Sequence, residues 1–161
     1  MQTERRPARE RTHQVQVGTV PVGGGAPVSV QSMCTTKTSD PRATLEQIRD
    51  LASEGCKIIR VAIPSFHELD GFEAICAVSP LPVVADIHFD HKLAIEASRR
   101  GAAALRINPG NVGSFERVDA VIEAAGEAGI PIRIGVNAGS LDEKVAARRD
   151  LSLPEKLVAS A

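Results

Sequence analysis

PVVADIHFDHKLAIEASRRGAAALRINP, running from Pro82 to Pro109, is the stretch that decides the fold. It opens on an apolar run, Pro82 to Ile87, of the length expected of a strand buried on both faces. Asp90 then offers an N-cap to a helical pattern that stops at Gly101. A second short apolar run, Ala104 to Ile107, follows at once. Strand, helix and strand joined by short loops require parallel strands linked by a right-handed crossover.

The same alternation extends in both directions. Val28 to Met33, Lys57 to Ile63 and Pro131 to Val136 read as further strands. Asp40-Pro41 caps a helix that ends before Gly55, with Leu45, Ile48, Leu51 and Ala52 forming one apolar stripe. Ser65 with Glu68, Ser140 with Glu143, and Ser152 with Glu155 have the spacing of capping boxes, and Ser114 can cap a helix running to about Gly129. Ahead of the first strand, Gln14 to Val22 reads as a β-hairpin ending in Gly23-Gly24-Gly25, an arm that could plug the bottom of a barrel. Strands begin near residues 28, 57, 82, 104 and 131. Eight such units need more than about 200 residues, and this chain of 161 holds five before a helical pattern at Pro154 to Ala161. A small open sheet and the first part of a longer barrel both fit. The expectation adopted is an α/β partial TIM (β/α) barrel over residues 13–161, preceded by a disordered tail over residues 1–12.

Composition narrows the function classes. Nineteen Lys+Arg against 20 Asp+Glu leave a net charge of −1, so no global field draws in nucleic acid or an acidic membrane. Aromatics at 2% disfavour a base-stacking surface. No apolar run approaches the roughly 20 residues of a membrane span, and no apolar stretch follows the basic N-terminus as it would in a secretory signal. A cytoplasmic protein is expected. Cys34, Cys56 and Cys76 are odd in number and lack C-x-x-C spacing, which reads neither as a disulfide framework nor as a zinc site.

Strand parity locates the chemistry. Residues i, i+2 and i+4 of a strand share a face. Asp86 and His88, Arg106 and Asn108, and Arg133, Gly135 and Asn137 are three such sets at the C-terminal ends of successive strands, and Arg60 lies on the strand before them. That end of an α/β barrel carries the active site. Three arginines on neighbouring buried strands are costly without partners, and their forks match phosphate oxygens. Three suit a diphosphate better than one carboxylate. Asn108 and Asn137 can bond to neutral oxygens or orient the phosphate, and Gly110 and Gly113 can expose N–H groups before the helix at Ser114. Asp86 can equally pair with one of the arginines inside the sheet. His88 and His91 lack the further ligands a metal needs. Ser32, Thr35, Thr36, Lys37 and Thr38 form either a polar loop or part of the site. These residues reach a diphosphate-binding barrel segment but name no reaction.

Four segments go further: Val30-Gln-Ser-Met-Cys-Thr-Thr-Lys-Thr38, Val84-Ala-Asp-Ile-His-Phe89, Leu105-Arg-Ile-Asn-Pro-Gly-Asn111 and Pro131-Ile-Arg-Ile-Gly-Val-Asn-Ala-Gly-Ser140. Together they resemble the 4-hydroxy-3-methylbut-2-enyl diphosphate synthase, or GcpE, family, from about Gln14 to the last residue. The resemblance implies reductive ring opening of 2-C-methyl-D-erythritol 2,4-cyclodiphosphate in non-mevalonate isoprenoid synthesis. It implies electrons from ferredoxin or flavodoxin, a 4Fe–4S cluster held by three Cys and a Glu of a C-terminal domain, and a homodimer. It would make Arg60, Arg106, Asn108, Arg133 and Asn137 substrate-binding. Asp86 and His88 would be catalytic or substrate-adjacent, and the three cysteines of this chain would be non-ligands. The expectation is then a synthase portion that binds the diphosphate, holds no cluster or metal, and is inactive alone. The competing readings are a fragment of a pterin-binding transferase barrel and a non-catalytic partial barrel that binds anions or a partner.

Overall fold

A computed structural model describes residues 11–139, 141 and 143–161. The Ser140–Glu143 capping pair and most of the tail over residues 1–12 therefore lie outside the described residues. The chain opens with an antiparallel hairpin, β1 (Val15–Val17) and β2 (Val20–Val22), joined by a two-residue turn at Gly18-Thr19. Five parallel strands follow: β3 (Gln31–Met33), β4 (Ile58–Ala62), β5 (Val83–Asp86), β6 (Ala104–Ile107) and β7 (Ile132–Ile134). They lie side by side in chain order, so each crossover moves one position along the sheet. This is the expected α/β architecture of five strand–helix units behind an N-terminal hairpin, with the sheet left open rather than closed into a barrel.

The crossovers are α1 (Pro41–Ser53), α2 (Leu69–Val78), α3 (His91–Arg99) and α5 (Phe115–Ala128), with a single helical turn, α4 (Pro109–Val112), before the last. Two short helices, α6 (Glu143–Ala146) and α7 (Leu153–Ala159), end the chain. Asp40 and Asp90 cap α1 and α3 as their positions require, accepting from the N–H groups of Ala43 and Lys92. Glu155 accepts from the N–H of Ser152 at 2.8 Å, as the capping-box spacing predicts. The Ser65–Glu68 pair departs from expectation. Residues Phe66–Glu68 form a 3-10 turn and the helix starts only at Leu69, so the pair straddles a tighter turn in which Ser65 makes no side-chain cap. Ser114 does occupy the N-cap of α5, but its hydroxyl is spent on the Glu116 carboxylate.

Sheet parity divides the interior in two. Ile59, Val61, Val83, Ala85, Leu105 and Ile107 face the helices and pack with Ile48, Phe72, Ile75 and Val121. A side chain such as Phe72, fully buried, contributes roughly 2–3 kcal/mol through removal from water. The opposite parity, with Ile58, Val84 and Ala104 at its base, faces the hollow of the curved sheet. Val17 of the hairpin packs on these three, so the arm closes the bottom of the hollow. Its turn fits because Gly18 has φ +57°, and a Cβ there would lie 2.8 Å from that of Pro82. The outer strands are shorter than their apolar runs. Val28 and Val30 stay exposed because β3 is an edge strand with a neighbour on one side only. Among the described residues no helix is long and apolar enough to cross a membrane.

Candidate functional site

The hollow of the sheet carries its polar groups at the C-terminal ends of the strands. Register aligns Ala62, Asp86, Arg106 and Arg133 across four strands in one row. Arg60 lies one pleat below, beside Met33 and Val84. Asp86 is the anchor, with a side chain 1% exposed. Its Oδ2 lies 3.3 Å from Arg60 Nε and its Oδ1 accepts from Arg106 Nη1 at 3.3 Å. The alternative left open by the sequence is thereby settled: Asp86 is paired inside the sheet. His88, two residues beyond the end of β5, brings Nε2 to 3.4 Å from the same Asp86 Oδ2.

The arginines remain undercompensated. Three guanidinium groups face one carboxylate. Among the described residues the buried Nε of Arg60 and of Arg106 find no acceptor in hydrogen-bond geometry, Arg60 Nε meeting Asp86 only as an ion pair, and such groups keep part of their desolvation cost. Burial disfavours the charged form of Arg133, repulsion from Arg60 and Arg106 adds to this, and Asp86 opposes it. The remaining donors are held by weak acceptors. Arg60 Nη2 donates to Met33 Sδ at 3.0 Å and Arg106 Nη2 to the Gly135 carbonyl at 3.4 Å. Gly135 is required by this path, since a Cβ there would sit 2.5 Å from Arg106 Nε. An oxyanion above the row would supply the missing negative charge.

Asn108 and Asn137 hold backbone. Asn108, 1% exposed, accepts from the Gly110 N–H at 3.1 Å and so starts the turn of α4. Asn137 accepts from the Gly139 N–H at 3.0 Å in the loop after β7. The Gly110 N–H is therefore engaged within the chain, and Gly113, at φ +103°, makes room for Arg117.

The polar residues after β3 are a tied loop. Gln47 of α1 accepts from the N–H of Thr35 at 2.9 Å, and its Nε2 donates to Thr35 Oγ1. Thr36 meets Thr44, and Thr38 donates to the Ala62 carbonyl at 2.6 Å. Ser32 is in register with Ile59, on the helix-facing parity, away from the arginines. Gln31 and Met33 are the residues of β3 that do reach the cluster, and sequence reasoning passed over both. The signal was available, since the parity rule applied to β3 selects them over Ser32.

No group of three His, Cys, Asp or Glu among the described residues could hold a metal. His91 Nδ1 turns to Asp90 at 3.7 Å while His88 turns to Asp86, so the two histidines do not converge on one point. Burial pushes the Cys34 thiol up to about 11 and the Cys76 thiol to about 12. Cys34, Cys56 and Cys76 belong to no group of three possible ligands among the described residues, so they do not fit an iron–sulfur cluster.

Comparison with known proteins points the same way. The sequence profile of the GcpE TIM-barrel domain matches residues 12–161. The 4-hydroxy-3-methylbut-2-en-1-yl diphosphate synthase (flavodoxin) of Frankia alni is 55% identical over 154 residues, 95% of this chain and 40% of the relative. The enzyme of that name from Salinispora arenicola is 52% identical over 155 residues, 96% and 40%, and that of Bifidobacterium longum 51% over 154, 95% and 38%. The chain thus spans about 40% of the length of these relatives. Among solved structures, dihydropteroate synthase from Stenotrophomonas maltophilia superposes with a TM-score of 0.57 at 15% identity, covering 82% of this chain and 52% of that one. A Yersinia pestis dihydropteroate synthase bound to a pterine-sulfa conjugate gives 0.53 at 17%, covering 75% and 48%. At such identity the likeness is one of fold.

Proposed function

The chain belongs to the GcpE family, and on that premise we propose that it is the diphosphate-binding barrel portion, N-terminal in the whole enzyme, of a 4-hydroxy-3-methylbut-2-enyl diphosphate synthase. The substrate proposed is 2-C-methyl-D-erythritol 2,4-cyclodiphosphate. The observation that carries the reading is the excess of cationic charge at the C-terminal strand ends, where among the described residues Asp86 pairs with Arg60 and Arg106 and leaves Arg133 without an ion pair. A cyclic diphosphate brings the charge this cluster lacks, in the geometry that guanidinium forks match.

In this reading Arg106 and Arg133 grip the phosphate oxygens from neighbouring strands, and Arg60 does so from one pleat below. Asp86 does not bind the anion. It holds Arg60 and Arg106 in place. His88, 46% exposed, turns Nε2 to Asp86, and in this reading its exposed edge lies against the substrate. Asn108 and Asn137 fix the loops that carry their strands' ends and line the site. The redox group of the whole enzyme, a 4Fe–4S cluster supplied with electrons by flavodoxin or ferredoxin, would be held by residues other than these. Protein side chains alone do not carry electrons into a ring opening. The chain alone is therefore expected to bind substrate without reducing it, in the cytoplasm, with homodimerisation a property of the complete protein.

The pterin-transferase reading shares the fold of the solved neighbours but not the family match, and fold alone does not assign function. Parallel calorimetric titrations with the cyclic diphosphate and with a reduced pterin separate the two. Saturable binding of the diphosphate only is expected; binding of the pterin only would overturn the proposal.

A further inference from the structure

The two edge strands meet across the hollow. In the order β3-β4-β5-β6-β7, β3 and β7 are four strand spacings apart, about 19 Å along the sheet. Yet Arg133 Nη1 on β7 donates to Gln31 Oε1 on β3 at 3.1 Å. Only a sheet rolled into a trough allows this, so the bond crosses the trough from the cationic row on β7 to a position two pleats below that row on β3. We propose that Gln31 is a positioning residue that holds Arg133 in the oxyanion site through a neutral hydrogen bond across the trough.

The chemistry of the acceptor is the argument. Asp86 is already shared by Arg60, Arg106 and His88. No carboxylate stands within ion-pair distance of Arg133 among the described residues. Left alone, Arg133 would swing toward water, away from two like charges. A carboxylate at position 31 would hold it but would also neutralise it, and would compete with any incoming anion. A neutral amide oxygen orients the guanidinium and leaves its charge available. A glutamine also has the reach. Gln31 sits on the hollow-facing parity in register with Ile58, one pleat below the Met33–Arg60 pair. The hydrogen bond itself is exposed, so its contribution to global stability is small.

This inference rests on the oxyanion reading, and the test keeps the two apart. Inorganic pyrophosphate is titrated calorimetrically into the chain and into Gln31→Ala, Gln31→Glu, Arg133→Ala and the Gln31→Ala/Arg133→Ala double variant. Thermal unfolding by circular dichroism is followed in parallel. Gln31→Ala is expected to weaken pyrophosphate by about tenfold, the range of one hydrogen bond to a charged group. Gln31→Glu should weaken it more, and both should leave the unfolding midpoint in place. In the Arg133→Ala background, Gln31→Ala should change affinity less than about twofold, because its effect passes through Arg133. Equal losses in both backgrounds, an unaffected Gln31→Ala, or an unaffected Arg133→Ala would overturn the proposal while the oxyanion site stands. No binding by the unaltered chain would overturn both. Should Arg133→Ala not fold, Arg133→Lys, which keeps the charge and loses the fork, closes the same cycle.

Discussion

Replacing Asp86 by Asn sets the stability of the cluster against its affinity for anions. The change is nearly isosteric and removes one buried negative charge in contact with Arg60 Nε and Arg106 Nη1, each at 3.3 Å. Removing one partner of a buried ion pair costs roughly 3–5 kcal/mol. The arginine side chains here are 24% and 14% exposed, which lets water screen part of the loss and places the cost near the lower end, about 3 kcal/mol. For a domain of this size that lowers the unfolding midpoint by roughly 6–12 °C. Affinity moves the other way. A carboxylate and a bound phosphate on opposite edges of one guanidinium lie roughly 6 Å apart, and at an effective dielectric near ~40 their repulsion costs about 1.4 kcal/mol. Asp86→Asn should therefore bind pyrophosphate about tenfold more tightly, and saturating pyrophosphate should raise its midpoint by more than it raises that of the unaltered chain. The assay is thermal unfolding with and without pyrophosphate, with calorimetry for affinity. A midpoint within about 1 °C of the unaltered chain, or pyrophosphate stabilising the variant less than the parent, would refute the reasoning.

Three other perturbations separate the parts of the structure. Gly135→Ala puts a methyl group 2.5 Å from Arg106 Nε; the flexible guanidinium moves aside, so the midpoint should shift little while pyrophosphate weakens about tenfold, and unchanged affinity would show that Arg106 is not held by this passage. Gly71→Ala meets the Thr38 backbone carbonyl at 2.2 Å, a wall that cannot yield, so chemical unfolding should show a loss of about 2 kcal/mol with pyrophosphate affinity per folded molecule unchanged. Cys34, raised from an ordinary 9.0 to about 11 by burial and then by Cys56, should be alkylated at pH 8 roughly 100-fold more slowly than a free thiol. Its sign on stability follows from the same shift. Below pH 9 the thiol is neutral in both states and has no effect, whereas between about 9 and 11 the unfolded thiol ionises first and stability falls. A Cys34→Ala variant lacking that alkaline loss would confirm it, and identical pH curves would contradict it.

What the sequence made legible was periodicity and parity. The apolar runs flanking the helical patterns from Asp40 to Gly55 and from Asp90 to Gly101 left few alternatives to parallel strands, and strand parity put Asp86, Arg106 and Arg133 on one face near the strand ends, where the register aligns them in one row. Two kinds of information were not local. The Gln31–Arg133 bond joins residues 102 positions apart through the curl of the sheet, and curvature leaves no mark in a single strand's pattern. The roles of Asn108 and Asn137 as backbone acceptors depended on where the chain turns after each strand. Propensity names a cap candidate there but does not say which N–H it will face. The Ser65–Glu68 pair shows the limit plainly: its spacing matched a capping box, but the chain made a tighter turn before the helix.

The central claim is that the half-rolled sheet already forms a diphosphate site, and calorimetric titration of the cyclic diphosphate into the chain and into Arg106→Ala tests it most directly. Arg106 joins Asp86 to the Gly135 carbonyl at the centre of the row, so its loss should abolish binding while circular dichroism still reports a cooperative fold. Saturable binding by the parent, lost in the variant, is the result this account predicts. A folded parent that does not bind, or a variant that binds as well as its parent, would contradict it.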